Sequence, residues 1–380
     1  MKILVDGGNS GSGGYLRYLA GVFGTGALDS VEVLLVCSPR IAAALGELDR
    51  QVTVLVEAQL DALQRRTRLA WWRQRWPVLV REFGPDVVLH PAGLLRGRSG
   101  DVPRVAIHHS MAPFTKAMYR LYGPSRMSAE MLYWRMRLLR SFRRADGVVF
   151  HADYTRRAVS CQSGGITRST LVPNAVPSAF SAAPLRDASL SAPVKLLCVS
   201  SLHLFKHQWQ VVAAVAMLRR ELGIDLRLNF VGSGEQRART RLLRSIEGHA
   251  ATSWTSIEEI PAESMPGAYK DADVFVFASS IEAWPITLGE AMASGLPIAC
   301  SDRMAMPDIL RDAGTYFDPE DPVSIADALR PLLTDPGLRS RCGALAREYA
   351  QEFTWERSAA GVVNFLRQVA KERELRGVSR

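Results

Sequence analysis

The sequence predicts an α/β protein made of two doubly wound, Rossmann-like domains, and three observations carry that prediction. Short continuous apolar runs alternate with helix-like segments from one end of the chain to the other. The runs fall into two series with an aperiodic stretch between them. At 380 residues and 47% hydrophobic side chains, the chain is too long for one ordinary core and too apolar for disorder.

The first series contains Ile3–Val5, Val31–Val36, Val52–Val56, Val87–Leu89 and Gly147–Phe150. The second contains Lys195–Val199, Leu226–Val231, Val274–Phe277 and Pro297–Cys300. Runs that are apolar throughout belong to parallel strands covered on both faces, whereas half-exposed strands alternate. Residues 178–193 are rich in Ala, Ser and Pro and lack helical periodicity, which marks a linker. The division expected is therefore one domain over 1–177, the linker 178–193, a second domain over 194–354 and a terminal helical segment over 355–380. Two such domains facing across a cleft would bind a ligand between them.

The net charge of +9 is unevenly placed. Residues 1–175 carry 24 basic against 13 acidic side chains, and the remainder 23 against 25. The first half therefore attracts anions, without the charge alone choosing among nucleic acid, bilayer and phosphorylated substrate. The opening apolar run of three residues is too short for a secretory signal, and no apolar stretch reaches membrane length, so the cytosol is the expected compartment. Five scattered cysteines, Cys37, Cys161, Cys198, Cys300 and Cys342, form no CxxC pair; all five are expected to be buried thiols.

The most informative stretch follows the strand Val274–Phe277. It holds Glu282, then Pro285 at a helix start, Glu290 about one and a half turns into that helix, and Gly295 at its exit. A helix that starts beyond the carboxyl end of a parallel strand points its free amides and positive dipole end at the crevice where ligands bind. Both carboxylates reach that crevice, and each can accept two hydrogen bonds from a sugar diol, worth about 1.5–3 kcal/mol each once desolvated. The bland alternative has Glu290 in solvent and Glu282 merely favouring the dipole, at about 0.3–1 kcal/mol. With the following Ala-Met-Ala-Ser-Gly-Leu-Pro-Ile, the segment resembles the E-x7-E motif of the retaining GT-B glycosyltransferases, specifically glycosyltransferase family four. The resemblance implies that Glu282 contacts the transferred sugar and Glu290 the ribose of a nucleotide-sugar donor, a UDP- or GDP-sugar. Ala283, Trp284 and Ile286, which flank the helix start, join the donor-site candidates.

Further segments fit the same family in order and distance. Lys206, in the loop after Lys195–Val199, matches a donor-phosphate lysine and supplies a compact charge for a diphosphate. Where the family often has an Arg five residues earlier, this chain has Ser201. Gly232 and Gly234, after Leu226–Val231, match a turn in which glycine lets backbone approach a ligand. The glycine-rich loop 6–15 fits neither a P-loop nor a dinucleotide fingerprint, and the resemblance gives Gly13 and Gly14 to the donor phosphate. His108 and His109 follow the strand Val105–Ile107, and the resemblance puts a histidine here beside the reacting sugar; alignment on Met111–Phe114 favours His109, with His108 left open. In this fold the segment 355–380 crosses back onto the first domain.

Residues 60–76 place Leu69, Trp72 and Trp76 among Arg65, Arg66, Arg68, Arg73 and Arg75 on a helical wheel, and Met127–Arg144 is a second basic, Trp-bearing helix. This is the pattern of a helix lying on an anionic membrane surface. The expectation is a retaining hexosyltransferase that uses no metal and no cofactor. Its acceptor is a saccharide, lipid-linked through a polyprenyl chain, in polysaccharide or lipopolysaccharide synthesis, and the protein is peripheral on the inner membrane face. The rivals are another GT-B enzyme, such as an epimerase or phosphorylase, and a basic nucleic-acid-binding module, for which the sequence has no recognisable reading motif.

Overall fold

The computed structural model describes residues 1–8, 13–26, 28–181, 189–190 and 192–378. Two units emerge from the pattern of contacts. The first comprises residues 1–114, 130–175 and 354–380, and the second 115–129 and 176–353. Each is a parallel sheet flanked by helices.

The first unit's strands are β1 (Lys2–Gly8), β2 (Glu32–Cys37), β3 (Val52–Val56), β4 (Val87–His90), β5 (Arg104–Ile107), β6 (Gly147–Phe150) and β7 (Ser169–Leu171). They lie in the order β3-β2-β1-β4-β5-β6-β7, all parallel. The second unit's strands are β8 (Val194–Val199), β9 (Leu226–Val231), β10 (Thr255–Glu258), β11 (Val274–Phe277), β12 (Ile298–Ser301) and β13 (Gly314–Phe317), in the order β10-β9-β8-β11-β12-β13. Strand order reverses between β1 and β4 in one sheet and between β8 and β11 in the other. At a reversal the flanking connections leave in opposite directions, and a crevice opens at the strands' carboxyl ends.

The fully buried strands are those that read as continuous apolar runs: β4, β6, β11 and β12 have no exposed residue. Three edge strands, β7, β10 and β13, lie outside both series. Their residues are mostly half-exposed, so burial imposes no apolar run on them. The terminal helix Trp355–Val378 belongs to the first unit, where Val362, Val363, Phe365, Leu366 and Val369 share a core with Ile3, Val5, Leu19 and Val33.

Three details differ from the sequence reading. Residues 115–129 cluster with the second unit, although the sequence division put all of 1–177 in one domain. Cys161 is exposed on the helix Asp153–Ser163, while the other four cysteines are buried. Trp76 does not sit on a basic surface. It is fully buried with Trp71, Leu79 and Val80 and packs against Gly97, whose φ of +65° brings the backbone close enough that a Cβ there would lie 2.2 Å from the indole. Of the linker, residues 178–181 form a short 3-10 turn with Phe180 buried, and 182–188 and 191 lie outside the described residues.

The terminal helix is seated through a glycine. A Cβ at Gly21, on the helix Gly13–Phe23, would lie 2.2 Å from the Trp355 ring. Gly21→Ala is therefore expected to destabilise the chain by about 1–3 kcal/mol despite alanine's better helix propensity. Gly248→Ala, at a helix end with no atom within 4 Å, is expected to be neutral or stabilising. Urea midpoints of the two variants check this; equal effects would contradict the packing account.

Candidate functional site

In the second unit the loops leaving β8 and β11 meet at the reversal point. After β8 the chain runs through Ser200 to a single 3-10 turn, Leu204–Lys206, and then to the helix Gln208–Leu222. After β11 it runs through Ser279 and Ser280 to the helix Ile286–Ala293, with Pro285 just before its first residue. The first amides of that helix have no intrahelical acceptor.

Hydrogen bonds hold the two loops together. Ser280 donates its amide to the Phe205 carbonyl at 2.8 Å, and its hydroxyl donates to the same oxygen at 3.3 Å. His207 Nε2–H donates to Ser280 Oγ at 2.9 Å. His207 sits at φ 48° between the turn and the helix, and burial pulls its pKa down to about 4, with the charge of Arg241 adding to the shift.

This cross-linking brings Lys206 to Glu282, 76 residues apart in sequence, and the ammonium pairs directly with Glu282 Oε1. The two side chains are 11% and 15% exposed. The Phe205 and Phe277 rings flank the ammonium, each with its centroid 5.5 Å away. A cation so poorly hydrated needs a partner, and in this state Glu282 is that partner.

Glu290 is fully buried. One carboxylate oxygen accepts from the Tyr269 hydroxyl at 2.8 Å, and that hydroxyl also lies 3.2 Å from the Thr287 carbonyl. The solvent-facing alternative for Glu290 is therefore excluded. Tyr269 stands on the helix Met265–Asp271 and is itself fully buried, and no motif in the sequence marks it.

Packing accounts for several of the remaining sequence candidates. Gly232 has φ +133°, and a Cβ there would lie 2.4 Å from the Ser200 carbonyl. A Cβ at Gly234 would lie 2.3 Å from the Leu202 carbonyl. These close approaches stitch the β9 loop to the β8 loop, where Leu202 N–H donates to the Ser233 carbonyl and Glu235 N–H to the Leu202 carbonyl. Glu235 Oε2 then accepts from the Tyr122 hydroxyl at 2.7 Å. Ala283 and Trp284 are buried, with the Trp284 ring edge-on to Phe353, and Ile286 is half-buried at the helix start. The single Asp-x-Asp spacing in the chain, Asp271-Ala272-Asp273, lies at the other end of the sheet. There Asp273 Oδ2 accepts the Lys195 amide at 2.8 Å, near the start of β8.

In the first unit Gly13 opens the helix Gly13–Phe23 and Gly14 is exposed; residues 9–12 of the glycine-rich loop lie outside the described residues. Tyr15 clamps the start of that loop, its hydroxyl donating to the Gly7 carbonyl at 2.9 Å. His108 is buried among Phe114, Phe142 and Phe150, while His109 is half-buried beside Tyr18. His151 Nδ1 lies 2.8 Å from the Val172 carbonyl and so carries the proton, which leaves its Nε2 to accept from His109 Nδ1–H at 3.2 Å. Burial lowers the pKa of His151 to about 4 and of His108 to about 3. It holds His109 well below the usual range, aided by the charges of His151 and His108 and opposed by the Pro91 carbonyl. The histidines are neutral at pH 7.

The sign of the resulting pH dependence follows. A histidine buried neutral takes up its proton only on unfolding, so its contribution is complete above pH 6.5 and is lost as pH falls toward the folded value. His108, His151 and His207 should each cost up to about 2 kcal/mol between pH 7 and pH 5, a window in which carboxylates stay ionised. Urea midpoints are expected to fall steeply across that window and less steeply in His207→Asn; a flat wild-type profile would contradict the assignment.

Two family models match the chain. Glycosyl transferases group 1 covers residues 187–349, and Glycosyltransferase Family 4 covers residues 25–180. An O-antigen chain mannosyltransferase B of Escherichia coli is 31% identical over 105 residues, 28% of this chain and 28% of the relative. A D-inositol 3-phosphate glycosyltransferase of Corynebacterium diphtheriae is 32% identical over 169 residues, 42% of this chain and 39% of the relative. The matched segments thus span well under half of those relatives. Sucrose-phosphate synthase of Thermosynechococcus elongatus has the same fold with a TM-score of 0.74 at 18% identity, over 97% of this chain and 98% of that one. Anabaena HepE, solved with UDP and glucose, has a TM-score of 0.70 at 16% identity, over 97% and 100%. The fold is GT-B, and with its two family matches side by side along the sequence the chain belongs to the group 1 glycosyltransferases.

Proposed function

We propose that the protein is a retaining glycosyltransferase that moves a hexose-type sugar from a nucleotide-sugar donor to a saccharide acceptor. The observation that carries this reading is the meeting of Lys206, Glu282 and the helix Ile286–Ala293 at the reversal point of the second sheet, with Glu290 of that helix held by Tyr269 from the helix Met265–Asp271. In this reading the donor diphosphate takes Lys206 and the helix amides, the ribose takes Glu290, and the sugar hydroxyls take Glu282. Gly232 and Gly234 shape the base side, and the family resemblance adds Gly13, Gly14 and His109 to the donor-binding residues. Donor binding would replace the Lys206–Glu282 pair by one phosphate contact and one sugar contact.

The chemistry follows from the charges. The acceptor hydroxyl oxygen attacks the anomeric carbon from the face on which the diphosphate departs. A new C–O bond forms, the C–O bond to phosphate breaks, and the hydroxyl proton passes to a phosphate oxygen. Configuration is retained. Lys206 and the helix amides supply the positive charge that the leaving group needs, so the step calls for no divalent ion. UDP is the favoured nucleotide, since it is what the structural neighbour HepE holds.

The acceptor is read as lipid-linked and the protein as peripheral on the inner membrane face, in envelope polysaccharide synthesis. Two observations support this. One relative is named an O-antigen mannosyltransferase. The basic helices Arg65–Phe83 and Arg126–Arg144 carry or adjoin exposed Leu69, Leu132, Tyr133 and Met136, whereas no helix among the described residues is long and apolar enough to cross a membrane.

The test is transfer from a panel of UDP-, GDP- and dTDP-sugars to added saccharide acceptors, with Glu290→Gln as the variant. The wild type is expected to form glycoside with one donor class, and Glu290→Gln to lose about 10- to 100-fold in kcat/KM, as expected for a lost charge-assisted hydrogen bond. Unchanged turnover in Glu290→Gln, or isomerised donor without glycoside, would defeat the assignment.

A further inference from the structure

A cavity whose charged side chains are all of one sign lies wholly in the first unit, and none of the donor-site candidates lines it. It has a volume of about 1080 Å³, and its walls carry Arg65, Arg68, Arg73, Arg96, Arg98 and Arg137 with no acidic side chain among them. Among the described residues Arg65, Arg73 and Arg98 form no ion pair, and Arg137 is engaged only by the Tyr133 hydroxyl and by aromatic rings. Six guanidinium groups around one space repel each other unless an anion lies between them.

One wall reaches the reversal point of the first sheet. Arg96 lies with Nη1 4.0 Å from Asp6 Oδ1 at the end of β1 and with its guanidinium over the Trp72 ring at 5.6 Å. Asp6 is 1% exposed; its Oδ2 is bonded to His90 Nδ1 at 3.0 Å, and its Oδ1 has no hydrogen-bond partner. Gly8, with φ +58°, makes room, because a Cβ there would lie 2.8 Å from Arg96 Nη1. Arg96 is thus held from behind by a buried carboxylate and presented to the cavity.

The surroundings decide which anion fits. Leu69 and Tyr133 line the cavity and are themselves exposed. Close by in sequence, the loop before the helix Arg65–Phe83 exposes Leu63, at 98%, and the helix Arg126–Arg144 exposes Leu132 and Met136. An anion site bordered by exposed apolar side chains suits an amphiphile. Nucleic acid is a poor fit, because Arg96 lies over Trp72 and Arg137 over Trp134, which leaves those rings less free to stack on bases.

We propose that this cavity seats the phosphate or diphosphate headgroup of a single lipid, with the lipid's apolar chain lying along Leu63, Leu69, Leu132 and Met136. This rests on the reading of the acceptor as lipid-linked and names the part of the acceptor that the first unit holds. Recognition is by a built arginine cavity and so depends on the headgroup, beyond the general charge of the membrane surface.

Co-sedimentation of the full chain, without donor, tests it. The vesicles are phosphatidylcholine doped either with a polyprenyl phosphate or with phosphatidylserine at matched surface charge. Arg65→Gln/Arg98→Gln is compared with Arg239→Gln/Arg244→Gln, which removes the same charge from an exposed helix of the second unit. Binding is expected to favour prenyl phosphate vesicles and to fall about tenfold or more in the cavity variant, with the control unchanged. Equal binding to both vesicle types, or equal loss in both variants, would overturn the proposal. So would thermal stabilisation by inorganic pyrophosphate in a chain that binds neither vesicle, since the site would then take a soluble phosphate. Glu290→Gln is expected to bind the vesicles like the wild type, so failure of headgroup capture and failure of the donor assignment are read separately.

Discussion

Reversal of strand order between β8 and β11 is the constraint on which the second unit's chemistry depends. Two loops that leave neighbouring strands in opposite directions open a crevice at their carboxyl ends, and something must hold their tips in register. Here Ser280 does so by binding the Phe205 carbonyl through both amide and hydroxyl, with His207 bracing the serine from the other side. Only with the loops fixed in this way do a lysine and a glutamate 76 residues apart share a poorly hydrated pair. The pair is stable as it stands and also divisible, since a diphosphate and a sugar diol can each take one partner. A site with two opposite charges already apposed needs little rearrangement to receive a ligand carrying both complements.

Glu290 shows a different use of burial. Its carboxylate has no exposed surface, and Tyr269 holds one oxygen at 2.8 Å. A carboxylate placed so has few orientations open to it, which is what a positioning contact to a diol requires. The neighbouring glycines serve the scaffold. Gly232, Gly234 and Gly289 each stand where a Cβ would collide with backbone or with a packed side chain, so the loops and helix could not lie where they do with larger residues.

Most of the fold was legible because parallel strands buried on both faces must be apolar throughout, and nine apolar runs stand out in the sequence. The edge strands β7, β10 and β13 were not legible for the same reason: half-exposed, they carry Ser, Thr and Glu as readily as Val. Glu282 and Glu290 were legible because a local spacing across a strand-to-helix turn reports their placement. Tyr269, Ser280 and His151 were not, since their partners are other elements and nothing local marks them. The helical wheel of residues 60–76 put Trp76 on the basic face. A wheel reports angular position alone, and it was Gly97 and the core around Trp71 that drew Trp76 inside. Likewise Cys161 was assigned inward by its residue type and lies outward because its helix presents that face to solvent.

The account stands or falls on where a donor nucleotide sits. A crystal structure of the protein with a nucleoside diphosphate is the most direct measurement. The account predicts ribose hydroxyls within hydrogen-bond distance of the Glu290 carboxylate, a phosphate oxygen at Lys206 Nζ, and a Lys206–Glu282 pair that has parted. A diphosphate bound elsewhere, with that pair intact and Glu290 still enclosed, would contradict it.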